Sequence, residues 1–142
     1  MTTIVADSRT GTMVSDSKVT AGDVWFPAKK ITRFKDELIG LAGDANLEEA
    51  WLNWYTGGRK GKPPSDDDLC ILILRKHGLI YFDIGSTEII VAREFHAIGS
   101  GAPAALGAML AGKTAEEAVA IAILVDPQSG GDIQVFNLKD KA

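Results

Sequence analysis

The sequence predicts an α+β domain in which mostly antiparallel sheets are covered by helices. Three observations carry that expectation. Short apolar segments bounded by Gly, Pro and Asp recur over most of the chain. Helical spacing occurs in only three stretches, one between two groups of strands and two in tandem near the end. With 142 residues and no internal repeat, the chain has the length of one domain, so strands and helices must share it.

At the start, Thr2 to Asp7 and Thr12 to Ser17 read as strands joined by the turn Ser8-Arg9-Thr10-Gly11, a hairpin. Thr20 to Pro27 contains Gly22, Asp23 and Pro27 and reads as a loop. Lys30 to Phe34 and Leu38 to Ala42 are strands around the polar turn Lys35-Asp36-Glu37. The first helix starts with Asp44 as its N-cap. Leu47, Ala50, Trp51, Trp54 and Tyr55 then mark one apolar face, and Gly57-Gly58 ends it. After a polar stretch, Arg59 to Asp68, come strands at Leu69 to Leu74, Leu79 to Asp83, Glu88 to Val91 and Phe95 to Ile98. Pro103 to Ala111 is the second helix. Thr114 and Glu117 form a capping box for the third, which is apolar nearly all round to Val125 and is expected to be buried. Ile133 to Leu138 is the last strand.

Composition narrows the function classes. A 46% hydrophobic, 24% charged chain is globular. A net charge of −4 leaves no basic excess for phosphates, so no nucleic-acid partner is expected. Ala118 to Val125, the longest apolar run, is too short to span a bilayer, and no signal peptide is evident. No membrane partner and a cytoplasmic location are the expectation. Cys70 is the single cysteine and lies in an apolar strand. His77 and His96 lack partners at metal-ligand spacing, and Asp66-Asp67-Asp68 has no calcium-loop pattern, so no metal or cofactor is expected. Gly99-Ser100-Gly101 lacks the Gly-Lys of a phosphate loop, and Trp25 and Phe26 fit an exposed contact or the core.

The chemistry begins at Met1-Thr2. A small second residue usually permits Met removal, which would leave Thr2 with a hydroxyl and a free amine on adjacent atoms. A threonine hydroxyl needs a base, and an α-amino group with a pKa of roughly 7.7 to 8.0 can serve near neutrality. Asp16 lies on the strand returning beside Thr2, and Lys30 opens the next one. Strands roughly 4.7–4.9 Å apart can bring the three together. A lysine cation there disfavours protonation of the amine, and Asp16 would hold the lysine.

These residues sit in segments that resemble the proteasome β-type and HslV-like threonine peptidases, a group of N-terminal-nucleophile hydrolases. Thr2-Thr3-Ile4-Val5-Ala6 resembles the mature start. Ser15-Asp16-Ser17-Lys18-Val19-Thr20-Ala21-Gly22 resembles the segment with the catalytic aspartate, and Lys29-Lys30-Ile31 that with the lysine. Gly40-Leu41-Ala42-Gly43, Gly99-Ser100-Gly101 and Asp126-Pro127-Gln128-Ser129-Gly130-Gly131 resemble three further motifs, in the family's order.

The resemblance implies an αββα sandwich and an endopeptidase working inside a homo-oligomeric ring. Thr2 would be the nucleophile, Lys30 would tune its amine, Asp16 would orient Lys30, and the Gly43 amide would form the oxyanion hole. Ser100, Asp126 and Ser129 would hold the amine and its water. Val19, Ala28, Leu41 and Ala45 match the family's main specificity pocket, and their small or apolar side chains imply an apolar side chain before the cut. A peptide or unfolded protein is the implied substrate, and an AAA+ unfoldase ATPase a possible partner.

This chain departs from the family in two places. The first hairpin is two residues shorter, and the second helix is absent after Gly57, which thins one outer layer and puts ring size and ATPase docking in question. Trp51, Trp54 and Tyr55, or another subunit, must cover that face. Two other readings stand beside the peptidase: a non-catalytic ring or scaffold subunit, against which Thr2, Asp16 and Lys30 argue, and a small-molecule amidase.

Overall fold

The computed structural model describes residues 1–140. Three layers of side chains explain the architecture. β1 (Ile4–Asp7) and β2 (Thr12–Ser15) form the expected hairpin. They are flanked by β10 (Phe95–Ile98) and β11 (Gln134–Asn137) in the order β10-β1-β2-β11, all antiparallel. A second antiparallel sheet runs in chain order through β5 (Ile31–Phe34), β6 (Glu37–Ala42), β7 (Cys70–Arg75), β8 (Gly78–Asp83) and β9 (Thr87–Val91).

Strand alternation sends successive side chains to opposite faces. Ile4, Ala6 and Met13 point between the sheets and meet Ile31, Leu38, Leu72, Leu74 and Leu79. Val5 and Val14 point the other way, to α2 (Ala102–Leu110) and α3 (Ala115–Val125), through Ala105, Met109, Ala118, Val119 and Ala122. On the far side, Trp51 and Tyr55 of α1 (Ala45–Thr56) cover Ile39, Leu41, Ile71, Ile73 and Phe82 of the second sheet. The result is the αββα sandwich, with α1 as the one helix of its layer among the described residues.

The helix signals act as expected. The Asp44 side chain accepts the Asn46 amide at 2.8 Å, and the Thr114–Glu117 capping box is formed on both sides. Trp51 stacks on Tyr55 at 5.1 Å and donates its indole N–H to the Gly85 carbonyl, which fixes α1 to the β8–β9 turn.

Two expectations are corrected. The stretch 20–27 is not a loop. β3 (Lys18–Ala21) and β4 (Val24–Pro27) pair as a separate hairpin around Gly22-Asp23. Val24, Trp25 and Phe26 have strand-type side chains, and the turn residues between them masked that pattern. Trp25 and Phe26 are exposed on this hairpin. The third helix is buried along one face only; Leu124 and Val125 project to solvent at its end. Small residues at 115, 118 and 122 make the contact with the sheet, so uniform apolarity here did not mean uniform burial. No helix among the described residues is long and apolar enough to cross a membrane.

Candidate active site

The entry to β1 gathers the chemistry. Thr3 lies opposite Asp16, one step beyond the Ile4–Ser15 pair, and the Asp16 amide donates to the Thr3 carbonyl at 3.1 Å. Thr2, Thr3 and Asp16 are all buried there. Lys30 precedes β5, and its ammonium reaches back under the chain start. It donates to Asp16 Oδ1 at 2.9 Å, to the Lys18 carbonyl at 2.7 Å and to the Met1 carbonyl at 2.9 Å. Three acceptors match the three N–H bonds of an ammonium, and no donor is left over.

Asp16 is fully enclosed and equally well occupied. Oδ1 also accepts the Thr3 amide at 3.0 Å, and Oδ2 accepts the amides of Lys18 at 3.3 Å and Gly130 at 3.0 Å. These bonds satisfy both oxygens of a carboxyl group that is withdrawn from water. Burial pulls the Lys30 ammonium below the ordinary lysine value, while the hydrogen bond and charge of Asp16 resist that pull.

A second network approaches from the opposite side. Asp126 caps the C-terminal end of α3, and its Oδ2 accepts the hydroxyls of Ser100 and Ser129, each at 2.6 Å. Burial would raise this carboxyl, but the hydroxyls of Ser100 and Ser129 and the Gln128 amide hold it below the usual range. The Thr2 carbonyl accepts the Gly101 amide at 3.2 Å, and Ser100 Oγ lies 3.5 Å from it. Gly99, at φ +96°, is required here: a Cβ would collide with the Thr2 carbonyl. Gly43 follows β6 at φ +138°, where a Cβ would press on the Asp68 carbonyl at 3.0 Å.

A cleft of about 420 Å³ opens beside these groups. Thr2, Gly43, Gly99 and Ser100 line one part, and Asp67, Asp68, Cys70 and Tyr81 another. Thus Thr2, Asp16, Lys30, Gly43, Ser100, Asp126 and Ser129 come together around the first residues, within or beside the cleft. The four positions matched to a specificity pocket do not line it. Val19 is half-buried on β3 and Ala28 half-buried just after β4, Ala45 is exposed at the start of α1, and Leu41 is packed under α1 with Trp51. Leu41 faces that helix because it alternates with Ala42, which points between the sheets.

Several groups at or near the site were given no catalytic role by the sequence. Thr3 joins both networks, and Gly130 supplies an amide to Asp16. Glu48, half-buried on α1, has a carboxyl pushed up to about 7 by burial, with the Lys30 and terminal-amine charges opposing and Asp44 adding to the rise. Cys70 lies in the cleft with its thiol pushed up to about 11 by burial, as expected of an inert thiol. His96 packs edge-on against Tyr81 at 5.4 Å, and His77 is exposed in the β7–β8 turn.

No protein-family model and no curated protein matches the chain. Solved structures do. BPH from Thiobacillus denitrificans aligns at 22% identity over 99% of this chain and 99% of that one, with a TM-score of 0.71. The same protein in complex with epoxomicin aligns at 20% identity over 97% and 100%, with a TM-score of 0.66. HslV from Trypanosoma brucei aligns at 23% identity over 95% and 99%, with a TM-score of 0.70. With near-complete coverage on both sides and the same layered α+β architecture, this chain has the HslV-like fold.

Proposed function

We propose that this chain is an N-terminal threonine endopeptidase that acts after loss of Met1. The observation that carries this reading is the position of the Lys30 ammonium, held by the buried Asp16 and donating to the carbonyl of the residue that precedes Thr2. Release of Met1 would remove that acceptor and leave the Thr2 amine beside the cation and the Ser100–Asp126–Ser129 hydroxyl network. A fixed cation there disfavours the ammonium form and keeps the amine able to accept a proton.

The Thr2 hydroxyl then attacks a peptide carbonyl, and its proton passes to the Thr2 amine. The Gly43 N–H receives the developing oxyanion; one such donor is worth about 2.7–4 kcal/mol in related chemistry. Collapse breaks the C–N bond, and the amine's proton goes to the leaving amine, which leaves an ester on Thr2. Water adds to the ester and gives a proton to the amine; collapse then breaks the ester C–O bond, the amine returns that proton to Thr2 Oγ, and the acid is released with Thr2 restored. No cofactor enters the scheme. The substrate on this reading is a peptide or an unfolded chain, and the working form is a ring of copies in the cytoplasm. The HslV-like fold and the exposed Trp25, Phe26, Leu124 and Val125 support self-association.

A non-catalytic ring subunit is the second reading. It is favoured by one observation: while Met1 is present, its carbonyl occupies Lys30 and Thr2 has no free amine. One experiment separates the two. Intact mass is measured before and after an epoxyketone, which needs both the hydroxyl and the amine of a terminal threonine. Loss of Met1 and a single adduct absent from Thr2→Ala supports the peptidase. Retained Met1 without an adduct supports the scaffold.

A further inference from the structure

We propose that Thr3 is a positioning residue that joins the Lys30–Asp16 pair to the Ser100–Asp126–Ser129 network, and that its hydroxyl acts on the Thr2 amine through Ser129. The inference rests on the threonine-peptidase reading and adds a residue to it.

Thr3 is fully buried and is bonded on two sides. Its amide donates to Asp16 Oδ1 at 3.0 Å, the same oxygen that receives Lys30. Its hydroxyl lies 2.7 Å from Ser129 Oγ. Strand alternation explains the split. Ile4 faces the space between the sheets and Val5 faces α2 and α3, so Thr3 carries its hydroxyl to the helix side, where Ser129 sits.

The direction of the bonds is set by counting protons. A hydroxyl has one hydrogen to donate. Ser129 spends its own on Asp126 Oδ2 at 2.6 Å, so the 2.7 Å bond must be donated by Thr3. Ser100 likewise donates to Asp126 Oδ2, which leaves the lone pairs of Ser100 Oγ free to accept. The Thr3 proton therefore fixes Ser129 in the rotamer that serves Asp126. Gly101 borders the site: a Cβ there would collide with Thr3 Oγ1, so the lack of a side chain at 101 is what lets the Thr3 hydroxyl sit where it does.

Without the Thr3 hydroxyl, Ser129 Oγ loses its donor and turns away, and Asp126 keeps one hydroxyl instead of two. A carboxylate with fewer donors carries a stronger negative potential toward the neighbouring amine and favours its protonated form. The rate of attack should then rise with pH later than in the parent chain.

The test uses Met1-processed protein and the epoxyketone rate followed by intact mass across pH 5 to 9. Thr3→Val keeps the shape and removes the hydroxyl, Thr3→Ser keeps the hydroxyl, and Thr3→Ala replaces Thr3→Val if that chain does not fold. Expected is adduct formation slowed by about tenfold, the worth of one buried hydrogen bond, in the hydroxyl-less variant. Its pH midpoint should move upward, and Thr3→Ser should restore both readouts. A hydroxyl-less variant with the parent rate overturns the inference. So does a slower rate with an unmoved midpoint, since that is a structural effect alone. No adduct on the parent chain overturns the peptidase reading and takes this inference with it, an outcome told apart by the parent control.

Discussion

Lys30 Nζ and Asp16 Oδ1 lie 2.9 Å apart with both side chains almost fully withdrawn from water. Their pairing is the fixed point of the chain's entry, because the same Asp16 also receives the amides of Thr3, Lys18 and Gly130. Removing one partner strands the other. Lys30→Met is expected to destabilise the fold by about 3–5 kcal/mol, the cost of leaving a buried charge uncompensated. Lys30→Met combined with Asp16→Leu should recover much of that loss. Urea denaturation of the two variants checks this; equal stability of Lys30→Met and the parent would contradict the buried pair.

Glu48 sets a pH dependence with a definite sign. Its carboxyl is raised from 4.5 to about 7 in the folded chain by burial, with the charge of Lys30 opposing. A raised group lends stability that is complete below the unfolded value and is lost as pH climbs through the folded one. The parent should therefore lose ground to Glu48→Gln between pH 4.5 and 7, by about 2 kcal/mol after allowance for solvent screening. Denaturation midpoints of both proteins at pH 4.5 and 7.5 give the difference, and a constant gap across that range would refute it.

Gly99 holds the Thr2 carbonyl at a distance no side chain permits. Gly99→Ala is expected to push Thr2 out of register with Gly43 and Ser100 and to slow epoxyketone labelling by about 10²-fold, as displacements near 1 Å do in active sites. The strain of an alanine at φ +96° should also lower the melting temperature. Labelling at the parent rate would mean that β1 tolerates the shift.

The helix layer over the second sheet depends on Trp51. It is fully buried, stacks on Tyr55, meets Phe82 edge-on at 5.0 Å and is hydrogen-bonded to Gly85. Trp51→Ala should cost about 3–5 kcal/mol, the range for an emptied aromatic site. The protein should remain paired at Lys30 and Asp16, which lie away from α1's contact with Phe82. Calorimetry measures the first effect, and a loss below about 1 kcal/mol would show that the cluster closes over the gap.

Much of this protein was determined by sequence alone, because local rules suffice for it. The hairpin at the start, the strands of the second sheet, the Asp44 cap, the Thr114 capping box and the three helices follow from alternation, spacing and capping chemistry within short windows. The residues around Thr2 were also legible, since Asp16, Lys30, Gly43, Ser100, Asp126 and Ser129 stand in recognisable motifs. Tertiary structure alone decided the rest. The pairing of β3 with β4, the one-sided burial of α3 and the turning of Leu41 under α1 depend on what each face meets. Likewise, Asp67, Asp68 and Cys70 enter the Thr2 cleft only because the stretch after α1 runs directly into β7. The bond from Thr3 to Ser129 joins residues 126 positions apart. A contact across that separation is fixed by sheet register and loop closure, and no local spacing encodes it.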